Sequence, residues 1–365
     1  MEKLVSVFDT TITDNNLGNE IIMHSVWKYL KLILPDAFFI KLPYLDSIGT
    51  ESIHYLEKSS LVFFGGTNCL TSDMQRYRQW GIDNSNADKI RDVILMGVGW
   101  WQYQGDPTRY TRKLLCNVLS HNFLHSVRDK YTATKLTKIG FDNVVVTGCP
   151  SMWMLTPEHC RSIPVQKAEN VLVTFTNYNR SSDDEKVLSS LKKHYKRVLC
   201  WVQGPEDYDY ALKLLPNIEI IKPSLANLDE ILSSDLDLEC VGTRLHAGIR
   251  ALQFKRRTIL LAIDNRATEI AKDFNLPVVA RDDVRALESM IGSTFETDIR
   301  MPYTEIHKWI DQFQNVRPTE YVFRAKRHAY SWLLARLHSY NDNKVLGTIK
   351  RMKDRLSGQL LQRAS

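Results

Sequence analysis

Short apolar segments alternate with longer amphipathic ones along most of the chain. The short segments are rich in branched residues and almost continuously apolar, which is typical of parallel strands covered on both faces. In the first half they predict strands at residues 4–8, 37–41, 61–64, 93–97, 123–127 and 144–147. In the second half they predict strands at residues 171–175, 198–202, 218–221, 238–241, 259–263 and 278–280.

Between the strands, apolar residues recur every three or four positions, which predicts helices. The longest helix, over residues 18–34, has Ile22, Val26 and Leu30 on one side and stops before Pro35. Further helices are expected at residues 183–195, 226–233, 245–254, 267–274 and 284–291. Two sets of six strands, each alternating with helices, predict an α/β fold of two Rossmann-like, doubly wound domains.

The two halves meet at residues 150–166, which contain three prolines and no strand pattern, so we expect a connector there. We therefore expect an N-terminal domain over residues 1–155, a C-terminal domain over 165–300 and a helical extension over 301–365. Ligands of doubly wound sheets bind at the carboxyl ends of the strands. Two such domains facing each other would form a binding cleft.

The net charge of +6 arises at the end of the chain. Residues 321–365 hold ten Lys and Arg against two Asp, so the rest of the chain is slightly acidic. Because most of the chain is not basic, its net charge gives no reason to expect nucleic-acid binding. The basic, amphipathic end fits either packing on the domains or contact with anionic lipid.

The cellular location of the protein is predicted from features that the sequence lacks. No stretch approaches the ~20 apolar residues that span a bilayer, and the start has no long apolar signal segment. Six scattered cysteines without paired spacing predict buried thiols rather than disulfides or a zinc site. We expect a cytoplasmic protein, with peripheral membrane contact left open.

The strongest candidate for chemistry follows the strand at 238–241. Gly242, Thr243, Arg244 and His246 stand where this strand ends and a helix begins. A cation that keeps its charge, beside a group that titrates near neutrality, can bind an anion and transfer a proton. The alternative is an ordinary helix start with an exposed arginine and a packed histidine.

Two more arginines follow other predicted strands. Arg128 ends the fifth strand of the first half, and Arg266 follows Asp264 after the strand at 259–263. The planar guanidinium group suits paired hydrogen bonds to a carboxylate or a phosphate. For Arg128, a surface ion pair with Asp129 is the alternative.

Glycine-containing turns follow two strands of the first half. Glycine allows the backbone to approach a ligand closely, and a helix N-terminus offers free N–H groups to an anion. The pattern differs from the GxGxxG dinucleotide fingerprint, which argues against a nicotinamide cofactor. An ordinary capped turn is the alternative. The candidate residues in these turns are Asn16, Gly18, Asn19, Gly65, Gly66 and Asn68.

In their order along the chain, these segments resemble the polysaccharide pyruvyl transferase family. The resemblance runs from about residue 10 to residue 280, and Arg244-Leu245-His246 is its most specific part. The chain differs from the family pattern at Thr67, where a third glycine is usual, and at Cys149, where an acid often precedes the proline. It also has Glu20 after the Gly18-Asn19 turn.

The resemblance implies a GT-B-like fold and an enzyme of exopolysaccharide or cell-envelope synthesis. Such an enzyme moves pyruvate from phosphoenolpyruvate, its co-substrate, onto a sugar diol of a glycan or lipid-linked precursor as a ketal. It implies catalytic roles for His246 and Arg244, substrate contacts for the other candidates, a donor site in the C-terminal domain, and no metal or cofactor. Two alternatives remain open: a nucleotide-sugar glycosyltransferase of the GT-B type, and a non-catalytic glycan-assembly protein.

Overall fold

Two parallel sheets organise the chain. The computed structural model describes residues 3–314, in which twelve strands alternate with twelve α-helices. The strands are β1 (Lys3–Asp9), β2 (Ala37–Pro43), β3 (Leu61–Gly65), β4 (Val93–Met96), β5 (His125–Val127), β6 (Val144–Val146), β7 (Asn170–Thr174), β8 (Arg197–Trp201), β9 (Glu219–Ile221), β10 (Leu238–Gly242), β11 (Thr258–Ala262) and β12 (Val278–Ala280). The helices are α1 (Leu17–Ile33), α2 (Thr50–Lys58), α3 (Arg109–Val118), α4 (Lys130–Lys138), α5 (Pro157–Arg161), α6 (Asp183–His194), α7 (Pro205–Leu214), α8 (Leu225–Ser233), α9 (Leu245–Gln253), α10 (Asn265–Phe274), α11 (Val284–Gly292) and α12 (Tyr303–Asp311).

The first sheet has the order β2-β1-β3-β4, with all neighbours parallel. The parallel pair β5-β6 continues it, because Gly97 N donates to Ser126 O at 2.9 Å and Val98 bridges to Val127. The strand order is therefore 2-1-3-4-5-6, which extends the flavodoxin-like arrangement. The order reverses between β1 and β3, so the loops after these strands diverge and leave a crevice.

The second sheet has the order β12-β11-β10-β7-β8-β9, again entirely parallel. Counted within this half, the order is 6-5-4-1-2-3, the arrangement of a Rossmann fold. Its crevice lies between β7 and β10, whose ends carry Thr174 and Gly242. The predicted α/β class with two doubly wound sheets is confirmed.

Helix α1 connects the two sheets. Asn16 caps it, its side chain accepting from Gly18 N at 3.1 Å, and it ends before Pro35. Its apolar side packs in two directions: Ile22 lies against Gly66, after β3, and Ile21 joins a core cluster of the second half. The chain crosses back at α12, where Trp309 contacts Phe63 of β3 at 6.1 Å between ring centroids.

All twelve predicted strands and all six predicted helices are present, with boundaries shifted by a few residues at most. Some of the other helices have few buried residues; α4, for example, buries only Thr132, Lys135 and Leu136. All six cysteines are free, and five of them are buried. The expected basic extension lies almost wholly outside the described residues, and the proposed domain boundaries stay predictions.

Candidate active site

Loops from the carboxyl ends of both sheets converge on one region. Arg128 follows β5 and Cys149 follows β6 in the first half. His246 lies in the first turn of α9 after β10, and Arg266 lies in the first turn of α10 after β11. Because the ends of the two sheets face each other, groups from distant parts of the sequence share one environment.

His246 is buried, with 6% of its surface exposed. Its Nε2 atom lies 3.7 Å from the sulfur of Cys149, which in turn accepts a hydrogen bond from Ser151 Oγ at 3.0 Å. The neighbour of the imidazole is therefore a thiol, at the position where the sequence departs from the family pattern. A thiol is a weak hydrogen-bonding group and carries no charge here, since burial raises the pKa of Cys149.

The imidazole of His246 is neutral near pH 7. Burial is the main cause, and the guanidinium groups of Arg266 and Arg128 add to it, lowering the pKa of His246 to about 3. Asp264 acts in the opposite direction and is the weakest of these influences. A neutral imidazole can accept a proton, and an anion bound beside it would raise its pKa.

Arg128 has a buried hydrogen-bond donor that lacks an acceptor. Its side chain is almost fully enclosed, and Nε donates to Asp129 Oδ2 at 3.1 Å. Nη2 has no partner, and neither has the nearby Oδ1 atom of Asn68. A buried polar atom without a partner costs stability, so an unfilled donor next to an unfilled acceptor marks a place for a polar ligand.

Gly99 makes room for this arrangement. A β-carbon at this position would lie 2.3 Å from Arg128 Cζ and 2.5 Å from Asn68 Oδ1. Both groups therefore lie directly against the Gly99 backbone. Only glycine leaves space for them there.

Arg244 and Arg266 both contact the ring of Tyr178. Their Cζ atoms are 5.0 Å and 5.6 Å from the centroid of the tyrosine ring, within the range of cation–π attraction. Arg266 Nη2 also donates to the Tyr178 hydroxyl. Two guanidinium groups from successive strand ends are thus held near each other by one ring.

Each of these arginines also has a carboxylate partner. Arg244 Nη2 donates to Asp207 Oδ1 at 2.5 Å, and Arg266 Nε donates to Asp264 Oδ2 at 2.9 Å. Burial opposes the charge on Asp264, yet Arg266 holds the pKa of that carboxyl below its usual range. The carboxylates fix the orientation of the cations, while Arg244 Nε stays buried without a partner.

The candidates in the first turn lie between the halves. Asn16 Oδ1 accepts from Gln203 Nε2 at 2.8 Å, and a β-carbon at Gly18 would lie 2.5 Å from the same Nε2 atom. Asn19 donates instead to Asp14, which also accepts from Tyr44 at 2.9 Å. These three residues are therefore held by contacts with Gln203 and Asp14.

The remaining glycine candidates are explained by packing. Gly66 has φ +64°, and a β-carbon there would lie 2.1 Å from Ile22 Cγ2 of α1. A β-carbon at Gly65 would lie 2.9 Å from the Met23 sulfur, and one at Gly242 would lie 2.1 Å from Thr174 Oγ1. Thr243 is buried, and its hydroxyl meets Thr174 O at 3.2 Å and Thr176 Oγ1 at 2.9 Å.

Three residues of this region were not among the sequence candidates for binding or catalysis: Cys149, Tyr178 and Asp207. Each lies in a segment that follows a strand of one of the sheets. Their location after a strand is the sequence feature that could have identified them, because functional side chains of such folds follow strands. Nothing in the sequence indicates, however, which polar residue in each loop turns toward the neighbouring half.

Among residues 3–314, no three His, Cys, Asp or Glu side chains gather as ligands of a metal ion would. None of the helices within that range is long and apolar enough to cross a membrane.

Several solved structures are distantly similar to this chain. The wall teichoic acid polymerase TagF is 12% identical, with a TM-score of 0.40, over 86% of this chain and 82% of its own. UDP-GlcNAc 2-epimerase from Neisseria meningitidis is 14% identical, with a TM-score of 0.40, over 87% and 94%. UGT89C1 from Arabidopsis thaliana, complexed with UDP-L-rhamnose, is 11% identical, with a TM-score of 0.42, over 87% and 93%. At these scores the likenesses support no conclusion about activity.

Sequence comparison gives a more specific result. No curated protein matches the chain significantly. The profile of a family described as polysaccharide pyruvyl transferase matches residues 16–265, which is well over half of the 365 residues. The matched range includes Arg128, Cys149, Arg244 and His246. The chain belongs to the polysaccharide pyruvyl transferase family.

Proposed function

We propose that the protein transfers pyruvate from phosphoenolpyruvate to two hydroxyl groups of one sugar, forming a cyclic ketal and releasing inorganic phosphate. The observation that carries the proposal is the neutral His246 under the charges of Arg266 and Arg128, together with Arg244, which contacts the same tyrosine ring as Arg266. Phosphoenolpyruvate has two anionic groups, a carboxylate and a phosphate. Fixed guanidinium groups bind both well.

The placement of the arginines suggests how the donor lies. Arg244 and Arg266, which both contact Tyr178, offer two cations to the phosphate, the group of higher charge. Arg128, with its free Nη2, is left for the carboxylate. In this orientation the reacting carbon lies between the two halves, near His246.

The chemistry requires a balanced movement of protons. First, a sugar hydroxyl adds across the double bond: its oxygen bonds to C2, and a proton bonds to the methylene carbon C3. Neutral His246 accepts the hydroxyl proton, and its conjugate acid supplies the proton for C3. A second hydroxyl then displaces phosphate at C2 and closes the ring, its proton passing to His246 or to the phosphate. A well-placed acid or base contributes about 10²–10⁴-fold to such a rate.

The acceptor is a sugar of a glycan or of a lipid-linked glycan precursor, as expected for this family. The proposal needs no metal ion or organic cofactor, because the arginines carry the charge of the donor. A cytoplasmic location and peripheral contact with the membrane through residues 321–365 stay predictions, since that segment lies outside the described residues.

The test follows labelled carbon from phosphoenolpyruvate into the glycan fraction of the source cells. Wild-type protein should transfer label and release phosphate in equal amounts. His246→Ala should lose about 10²–10⁴-fold in rate and still bind phosphoenolpyruvate. Transfer of label by His246→Ala at the wild-type rate, or none by the wild type, contradicts the proposal.

A matched pair of arginine variants tests the binding role. Arg244→Ala should weaken phosphoenolpyruvate binding. Arg250→Ala removes a buried arginine from α9, the helix that begins directly after Arg244, and this arginine pairs with Asp229 at 2.7 Å. It should lower stability without changing donor affinity. Equal loss of affinity in both variants would show that the effect is not specific to Arg244.

A further inference from the structure

A cavity of about 390 Å³ opens between the loops that follow β3 and β4. It is large enough for a sugar ring. Nothing in the proposed donor chemistry uses it. Its lining residues are Ser72, Asp73, Tyr77, Trp101, Gln102, Gln104, Gly105, Asp106 and Thr108.

Two aromatic side chains form one wall of this cavity. The rings of Tyr77 and Trp101 lie 5.4 Å apart between centroids and are tilted by 41°. Tyr77 is 43% exposed, and Trp101 is half-buried. Large apolar faces left open in a concave surface favour a ligand that can stack on them.

The polar lining indicates an uncharged ligand. Asp73 supplies a carboxylate and Gln102 supplies an amide, whereas the carboxylate of Asp106 already pairs with Lys138 at 2.6 Å. The lining includes no arginine or lysine that could bind an anion, whereas hydroxyl groups can donate to the carboxylate of Asp73. A ring with one apolar face and several hydroxyl groups fits both features of the cavity.

The cavity is built rigidly. Lys135 is buried and donates to the backbone oxygens of Gln104 and Gly105 at 2.6 Å and 2.7 Å. The side chain of Gln104 accepts from Ser72 N at 2.6 Å, which ties the two loops together. Gln102 has φ +56°, an unfavourable backbone conformation that this frame maintains. A preformed wall binds a ligand at lower entropic cost.

The same loop reaches the candidate active site. Trp100 O accepts from Asn265, the residue between Asp264 and Arg266, at 3.4 Å. Trp101 follows Gly99 by two positions, so their Cα atoms are at most about 7 Å apart. Arg128 lies against Gly99. The loop that lines the cavity is therefore continuous with the backbone against which Arg128 packs.

We propose that the Tyr77–Trp101 cavity is an acceptor subsite that stacks an uncharged sugar ring next to the ring that receives pyruvate. The inference rests on the proposed function for the identity of that neighbouring ring. The binding of a neutral sugar in the cavity can be measured whether or not the protein transfers pyruvate.

The experiment is ligand-observed NMR of the full chain with four neutral disaccharides: maltose, cellobiose, lactose and chitobiose. Wild-type protein should bind at least one of them at millimolar concentration. Trp101→Ala should weaken that binding about tenfold or more, which corresponds to about 1.4 kcal/mol. Tyr77→Ala, at a more exposed position, should act in the same direction and guards against misfolding of the first variant.

Phe38→Ala is the control, because Phe38 is an exposed aromatic residue on β2 and does not line the cavity. It should leave sugar binding unchanged. No binding of any disaccharide by the wild type, or equal binding by Trp101→Ala and Tyr77→Ala, overturns the inference.

The donor is tested separately, by the thermal shift with phosphoenolpyruvate. Trp101→Ala should keep that shift. If sugar binding depends on Trp101 while phosphoenolpyruvate has no effect on the wild type, the subsite stands and the proposed donor fails. If phosphoenolpyruvate binds and no sugar does, the donor stands and the subsite fails.

Discussion

Replacing Gly99 with alanine tests the position of Arg128 without removing a charge. The new methyl carbon would lie 2.3 Å from Arg128 Cζ, whereas carbon atoms in contact prefer about 3.5 Å or more. The guanidinium group must therefore move by roughly 1 Å. A displacement of about 1 Å at a reacting group costs on the order of 10²-fold in rate. Overpacking of this kind also costs about 1–3 kcal/mol of stability.

Calorimetric titration with phosphoenolpyruvate measures the effect. We expect Gly99→Ala to bind at least about tenfold more weakly, close to the value for Arg128→Ala. Gly49→Ala is the control, because a β-carbon at Gly49 meets nothing within 4 Å. It should bind like the wild type. Wild-type affinity in Gly99→Ala, with a folded protein, would refute the assignment of Arg128 to the donor.

Three further predictions concern the histidines and the packing of α1. Cys149→Asp places a carboxylate near the Nε2 atom that now lies 3.7 Å from sulfur, so the pKa of His246 should rise by about one to three, as NMR titration would show. An unchanged pKa would contradict the contact. His246 and His125 have pKa values lowered to about 3 and about 4 by burial, so the unfolded state binds more protons below pH 6.5. The free energy of unfolding should therefore fall by about 1.4 kcal/mol for each histidine and each pH unit as the pH is lowered from about 6.5 to about 4.5. Equal urea midpoints at these two pH values would contradict this prediction. Gly66→Ala should lower stability by about 1–3 kcal/mol, because its methyl group meets Ile22 and φ is +64°; an unchanged melting temperature would contradict this.

The strands were predictable because of their physical setting. A parallel strand covered on both faces, such as β3 with all five residues buried, reads as a continuous apolar run. Helix α1 was equally clear, since its buried residues recur along one side and Pro35 stops it. Helix α4 was not singled out, because most of its residues are polar and its buried stripe is narrow.

The site was predictable only in part. Arg244 and His246 were expected to reach one ligand, and the structure places them in different surroundings. Arg244 precedes α9 and contacts Tyr178 and Asp207, whereas His246 lies within α9 against Cys149. These partners come from other strand ends, so only the folded chain reveals them.

The glycine turns show why local sequence is ambiguous. Gly65 and Gly66 were candidates for substrate contact because glycine permits close approach of the backbone. The structure shows a close approach, but to side chains of α1. A glycine indicates that another group lies close to the backbone, but it does not show whether that group belongs to a ligand or to a helix.

The most direct test of the account is the thermal shift of the purified protein with phosphoenolpyruvate, compared with nucleotide sugars and nucleoside diphosphates. A ligand that binds only the folded state stabilises it by RT ln(1 + [L]/Kd), about 2.7 kcal/mol at one hundred times Kd. The account predicts a rise in melting temperature with phosphoenolpyruvate that Arg244→Ala abolishes. A rise with nucleotide ligands alone would indicate a nucleotide-sugar glycosyltransferase, and no rise with any of them would indicate a non-catalytic protein; either result would contradict the account.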